Sequence, residues 1–388
     1  MLRQLNKRLP CYALIFSLLC LASSSATANP AATQSLADEY AAWFEKQFPQ
    51  ENLVGAAFAI VTRDGVLRSG TSGFTDTRKT QAINADTVFR IASVSKTFAA
   101  GLTAQLVADG SIAWDDPVIR YVPGFRIKGD TGKIRIEDLL GQSSGLIPHA
   151  YDNLIEDGVP TDEIYRKLAD LTYNCTPGSC YSYQNSVFSL IQPVVENATS
   201  SSYELLVEQR IFKPLDMRTA SVGYEPFLAN TNRAEPHVKT SKGWATVKVL
   251  PNYYRVAPAA GVNASISDMA KWLSAQLGAY PAVVTADEVN TLVTPRVKTA
   301  RELHRREWKR MVTDAHYGLG WRVYQMGNTQ IAYHSGWVQG YRADIAYSPS
   351  EGIGITVLLN AESSSINLLT TQFWEMASQR SKPIPAAP

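Results

Sequence analysis

The alternation of apolar and polar positions divides the chain into strand-like ends and a helical middle. Leu36, Tyr40, Trp43, Phe44 and Phe48 fall at helical spacing and predict an amphipathic helix over residues 35–48. Val54 to Thr62 is an apolar, strand-like run, Arg63-Asp64-Gly65 is a hairpin turn, and Val66 begins the return strand. From about 90 to 295 the repeats are mainly helical, with loops between them. Strand signals resume at Leu319–Tyr324, Gln330–His334, Arg342–Tyr347 and Ile353–Leu359, and Ser348-Pro349-Ser350-Glu351-Gly352 turns the last two. A final helix is predicted over roughly 364–379, followed by a disordered Pro/Ala tail from Ser381 to Pro388. Strands at both ends with helices between predict an α+β sandwich. Its antiparallel sheet joins the N- and C-terminal strands (about 35–90 and 300–380) and carries a mainly helical inserted region, about 91–295.

The first residues read as an address rather than as part of this body. Arg3, Lys7 and Arg8 form a basic front, Cys11 to Ala22 is a short apolar stretch, and Ala26-Thr27-Ala28 has a small-x-small pattern. That is the layout of a secretory signal over residues 1–28, cut before Asn29, which leaves a domain over 29–380 and a periplasmic or secreted product. The apolar stretch is short for a membrane span, and bulky Leu19 argues against lipidation at Cys20. Cleavage removes three positive charges and takes the net charge from +2 to −1. Such a balance excludes a nucleic-acid binder driven by phosphate contacts.

Cleavage leaves two cysteines, Cys175 and Cys180. In an oxidising compartment a close pair most often forms a disulfide, here around the turn Thr176-Pro177-Gly178-Ser179. A metal site lacks a histidine at ligand spacing, and free thiols are the remaining alternative.

The strongest chemical signal is Ser93-Val94-Ser95-Lys96. Val94, Phe98, Leu102 and Leu106 repeat every four residues, so the segment reads as a helix with Ser93 in its first turn. A spacing of three puts Ser93 and Lys96 on one face within hydrogen-bond reach. The positive end of the helix dipole and burial both disfavour a charged lysine, and a neutral amine can take the serine proton. Alone, so short a motif also fits a surface serine and lysine.

Two further stretches give it weight: Tyr181-Ser182-Tyr183-Gln184-Asn185 after Thr176-Pro177-Gly178, and His334-Ser335-Gly336-Trp337 at the end of a strand. In this order the three motifs resemble those of the serine β-lactamase and penicillin-binding-protein family, in its class C-like branch. Leu139-Leu140 through Ser143-Ser144-Gly145-Leu146, Ile211 to Met217, Ser267 to Trp272 and Tyr317-Gly318-Leu319-Gly320-Trp321 add to the resemblance, which covers roughly 35–378. It implies a β-lactamase/transpeptidase-like fold and Ser93 as the acyl-forming nucleophile. Lys96 and Tyr183 would share the general-base work. A free phenol titrates far above neutrality, so Tyr183 acts as a base only if cations hold its hydroxyl. Asn185 would hydrogen-bond the substrate amide and the lysine, and the N–H groups of Ser93 and Trp337 would form the oxyanion hole. Gly336 would let the strand come close, with His334 and Ser335 among the substrate-binding residues. Tyr181 reads as packing. No metal or organic cofactor is implied.

One departure from the lactamase pattern matters: His334 stands where a class C lactamase carries lysine. Histidine near neutrality is mostly uncharged but still donates a hydrogen bond. His-Ser-Gly is more similar to the peptidase and esterase members, which points to D-amino-acid peptides, peptidoglycan-derived fragments or esters, with β-lactams as minor substrates. The alternatives are a class C lactamase proper and a catalytically silent envelope binding protein. His149 falls roughly where lactamases place a substrate-binding glutamine. His237, His304 and His316 lie in no motif and read as surface or structural.

Gly141-Gln142-Ser143-Ser144-Gly145 matches the Gly-x-Ser-x-Gly elbow of α/β-hydrolases. An elbow needs a buried strand before it and a helix after it, whereas Glu137 and Asp138 precede the turn and Pro148 would interrupt the first turns of that helix. Arg296 to Arg310 holds seven Lys/Arg against Glu302 and Glu307. This is either a solvated face or a basic rim for an anionic envelope polymer.

Overall fold

The computed structural model describes residues 30–380. The signal-like leader and the Pro/Ala tail lie outside the described residues. The main sheet has eight strands: β1 Gly55–Thr62, β2 Gly65–Gly73, β3 Val297–Lys298, β4 Asp314–Tyr317, β5 Arg322–Met326, β6 Thr329–Val338, β7 Tyr341–Ser348 and β8 Ile353–Leu359. Their order is β2-β1-β8-β7-β6-β5-β4-β3, and every pairing is antiparallel. The early and late strands do join, with Ala56 opposite Leu359 and Thr62 opposite Ile353.

The apolar run of β1 follows from burial on both faces. Phe58 and Ile60 point into one core with Tyr40, Phe44, Phe373 and Trp374 of two helices, α1 Pro30–Gln47 and α4 Ser365–Arg380. Ala57, Ala59 and Val61 point into the other core, with α2 Ser95–Ala108 and α3 Ile266–Gln276. The result is three layers, with the terminal helices on one side of the sheet and the inserted region on the other.

Two sequence expectations shift. The strand expected at Leu319–Tyr324 starts only at Arg322, because Gly318 to Trp321 closes a turn with Gly318 N donating to Trp321 O at 2.8 Å. The helical middle also carries a three-stranded sheet, Phe89–Arg90 with Val262–Ala264 and Ser221–Val222, and the hairpin His237–Thr240 with Gly243–Thr246. These strands run only two to four residues, too short for an alternating pattern to show. Among the described residues, no helix is long and apolar enough to cross a membrane.

Candidate active site

Ser93 sits on a backbone turn fixed from both ends. Phe89–Arg90 pairs with Ala264 and Asn263, and Ile91 N donates to Val262 O at 3.2 Å. Ala92 then takes φ +49°, a left-handed conformation that an alanine holds only under strain. Ser93 lies in the 3₁₀ turn Ala92–Val94 just before α2, not in the α-helix itself. The expected proximity is nevertheless present, with Lys96 Nζ 3.3 Å from Ser93 Oγ. Ser95 Oγ accepts from Val262 N at 2.9 Å and anchors the start of the helix. Phe98 stacks on Trp272 of α3 at 4.4 Å, and Trp272 Nε1 donates to Thr97 Oγ1 at 3.0 Å.

Lys96 is fully buried. Besides Ser93, Nζ reaches Asn185 Oδ1 at 2.8 Å and Ala259 O at 3.0 Å. Burial holds its pKa well below the ordinary lysine value; the Arg322 charge adds to this, and Asp152 opposes it. Tyr183 OH donates to Ser93 Oγ at 2.9 Å. Lys96 Nζ lies 4.8 Å from the Tyr183 ring centroid and the Arg322 guanidinium 5.6 Å. Burial outweighs the Arg322 charge and the hydrogen bond to Ser93 and pushes the phenol up to about 12. With the phenol raised in this way, Tyr183 stands beside the serine as a hydrogen-bond donor.

The middle motif is held by the segment that mimicked a hydrolase elbow. Gln142 O accepts from Ser182 N at 2.7 Å, and Gln142 Oε1 from Gln184 N at 2.6 Å. Its Nε2 donates to Gln184 O at 3.2 Å. Ser143 is buried with its Oγ on Asp138 at 3.3 Å, at the end of the short helix Ile136–Leu140. The Gln142–Ser143 stretch therefore clamps Tyr183 and Asn185 in place and presents no exposed nucleophile. Cys175 and Cys180 form a disulfide with Cα atoms 6.4 Å apart. The loop it closes packs on the same stretch: Gly145, at φ +78°, has no room for a Cβ because Cys175 O lies against it.

Asn185 departs partly from expectation. It contacts Lys96, but its amide nitrogen donates to Asp152 Oδ2 at 3.0 Å rather than facing free space. His149 Nδ1 reaches the same carboxylate oxygen at 2.8 Å. Ser93, Lys96, Asn185, Asp152 and His149 thus form one chain of contacts that ends in solvent, since the His149 side chain is 62% exposed.

The third motif approaches from the sheet. β6 pairs with β5 only up to Tyr333 but with β7 as far as Val338. The edge left open by β5 meets the Ser93 turn, where Ile91 O and the Ala92 Cβ abut Gly336 and leave no space for a side chain. Ser335 and Trp337 line the cavity.

His334 does not match its expected role as a substrate contact. It is fully buried, Nδ1 lies 2.9 Å from Ser335 O, and Nε2 lies 3.1 Å from Tyr317 OH. A carbonyl can only accept, so Nδ1 carries the proton and Nε2 accepts from the tyrosine. Burial, with Arg322 and Lys96 behind it, holds His334 well below the usual histidine range, so it stays neutral. The fixed charge lies one strand over on Arg322, which is paired with Tyr333 across β5–β6 and lines the cavity. The Tyr181 ring packs at a tilt against Tyr317, with centroids 5.5 Å apart. His237 is a buried structural residue with Nδ1 2.8 Å from Asn360 O.

The cavity in front of Ser93 has a volume of about 810 Å³. Tyr183, Asn185, His149, Ser335 and Trp337 line it, with Lys298, Arg301 and Arg305 of the basic segment along one side. Asp152 and Arg322 were not singled out in the sequence, and Tyr317 was named only within a supporting motif, without a role at the site. An arginine directly after Tyr317-Gly318-Leu319-Gly320-Trp321, at the start of a strand, was the available signal for Arg322.

A backbone turn, a buried amine and a phenol thus converge on one hydroxyl, Ser93 Oγ. The chain matches the family model described as Beta-lactamase over residues 35–369 and belongs to that family. Esterase EstB of Burkholderia gladioli is 34% identical over 223 residues, 53% of this chain and 56% of that protein. The fold is shared with a penicillin-binding protein homologue from Pyrococcus abyssi (TM-score 0.76, 21% identity, 89% of this chain and 77% of that one). It is shared also with a D-stereospecific amidohydrolase from Streptomyces sp. (TM-score 0.66, 22% identity, 88% and 97%). The chain spans little more than half the length of the first curated relatives it matches, 54%, 59% and 56%.

Proposed function

We propose that the protein is an exported serine hydrolase that forms an acyl-enzyme on Ser93 and acts on D-amino-acid peptides or esters, with β-lactams as minor substrates. The observation that carries this reading is the double contact on Ser93 Oγ, from Tyr183 OH at 2.9 Å and buried Lys96 Nζ at 3.3 Å. The neutral amine takes the hydroxyl proton as Oγ attacks the substrate carbonyl. The N–H groups of Ser93 and Trp337 receive the developing oxyanion. Tyr183, protonated at working pH, gives its proton to the departing amine or alkoxide and is recharged from Lys96. Water then attacks the ester, and Ser93 regains its proton.

The charges near Ser93 bear on the leaving side of the substrate. With His334 neutral, the cation beside Tyr183 is Arg322, which also lies 3.5 Å from Glu302 Oε2, and a substrate carboxylate on the leaving side would share it with that residue. Lys298, Arg301 and Arg305 beside it suit an anionic envelope polymer. Export is supported by the basic-then-apolar leader of the sequence and by the disulfide.

The test is labelling with a fluorescent penicillin and a fluorophosphonate, with the adduct located by mass spectrometry. The label is expected on Ser93, absent in Ser93→Ala and retained in Ser143→Ala. An unlabelled protein without ester turnover would instead be a binding protein on this fold.

A further inference from the structure

A second cavity, of about 460 Å³, adjoins the first, and Glu156, Tyr253 and Trp337 line both. Its wall includes Arg90, three residues before Ser93. Arg90 is only 3% exposed, and its Nε and Nη2 have no hydrogen-bond partner. The guanidinium stacks on the Tyr254 ring at 4.1 Å, a contact that fixes its plane without supplying an acceptor. Buried charges in proteins are normally paired and hydrogen-bonded. Here Nε and Nη2 are sealed from solvent, so the side chain meets the cavity only through its remaining edge, and Lys248 adds a second positive charge there.

The remaining lining shows what would come with an anion. Leu250 is 42% exposed and Trp337 57% exposed, and both border this cavity. Two carboxylates border it too, and each is already engaged. Glu156 accepts from Tyr253 OH at 3.0 Å. Glu362 accepts from Trp337 Nε1 at 2.8 Å and Gly340 N at 3.3 Å. An apolar rim thus leads from the nucleophile's cavity to a buried guanidinium that lacks an acceptor.

The geometry points to a carboxylate subsite for the acyl half of the substrate: an acyl chain runs over Trp337 and Leu250, and its terminal carboxylate docks on Arg90 and Lys248. The preferred donors are then ω-carboxyacyl esters and amides, acidic peptides among them. This rests on acyl transfer at Ser93, with Arg322 left for the leaving side.

The experiment compares the p-nitrophenyl monoester of glutaric acid with p-nitrophenyl valerate, which match in length and differ in the terminal carboxylate. The readout is the ratio of their kcat/KM values, so a general loss of activity cancels. A charge-assisted contact predicts a ratio of about ten or more in the wild type. Arg90→Met brings it to near one, and Lys248→Met lowers it severalfold. Because Arg90 is buried, Arg90→Lys and a melting curve accompany it; Lys248 is exposed and its variant carries the test if Arg90 variants do not fold. A wild-type ratio near one, or a ratio unmoved in the folded variants, overturns the subsite. If neither ester turns over and Ser93 takes no label, acyl transfer itself has failed. Calorimetry of glutarate with the Ser93→Ala protein then decides the subsite alone: binding that is lost in Ser93→Ala/Lys248→Met supports it, and no binding overturns it.

Discussion

Replacing Gly336 by alanine asks whether the approach of the sheet edge to the nucleophile turn sets the rate. An added Cβ falls about 0.8 Å inside the 3.0 Å closest approach to the Ile91 carbonyl oxygen. That oxygen is backbone and cannot swing aside, and the Ala92 Cβ stands 3.2 Å away. The turn is pinned by Ile91 N on Val262 O and already holds Ala92 at φ +49°. The strand must therefore retreat, and β7 with it, since Gly336 faces Ala343. A misplacement near 1 Å lowers rates by about 10²-fold, so kcat/KM on a neutral ester is expected to fall ten- to a hundredfold. The loss should fall mainly on kcat, because the oxyanion donor on Trp337 moves with the strand. Overpacking of this kind also destabilises by about 1–3 kcal/mol. Ester kinetics, the labelling rate at Ser93 and a thermal melt measure the three effects. A variant that melts lower yet keeps kcat within twofold of wild type would refute the reasoning, because the strand–turn distance would then not govern catalysis.

Lys96→Met should abolish acylation. In the wild type, acylation should fall as pH drops below the depressed lysine pKa, where the amine becomes charged. Between that value and the ordinary 10.5 the unfolded chain holds a proton that the native chain lacks, so wild-type stability rises with pH relative to the variant; parallel melts from pH 6 to 10 with no change in the difference would contradict this. Asp344 is buried, and burial raises its carboxyl to about 6. The native state therefore holds the extra proton between the usual carboxyl range and that value, and stability from this group declines as pH rises through the interval. Asp344→Asn should be favoured over wild type by roughly 3 kcal/mol more at pH 7.5 than at pH 3, as read by urea denaturation at the two values. Cys175→Ser with Cys180→Ser should lower stability by about 2 kcal/mol and also slow Ser93 labelling, since the loop packs against Gly145; equal melting and equal labelling would separate the disulfide from the site.

Much of the fold was legible because the strands that matter are long apolar runs. Val54–Thr62 and Ile353–Leu359 are covered on both faces, and burial of that kind writes itself into composition. Asp314–Tyr317 was missed because its alternation, Asp-Ala-His-Tyr, runs for only four residues. At the site, the motif residues were legible because Ser93 and Lys96 interact locally, three residues apart. Arg322, Tyr317 and Asp152 owe their places to pairing and packing across the chain: Arg322 reaches the cavity through its register with Tyr333, and Asp152 through Asn185. His334 was placed in the right region but not in the right role. Sequence gives its identity, whereas its burial beneath Tyr317 decides that it accepts a hydrogen bond from the protein and carries no charge.

The union of β1 with β8 has a consequence for how the chain is made. Ala56 must wait for Leu359, so the centre of the sheet cannot zip until the chain has been synthesised about 300 residues further on. Contacts closed over such long loops form slowly. Until then Phe58 and Ile60 lack the partner strand beside them, and an apolar strand with an unpaired edge is prone to aggregate.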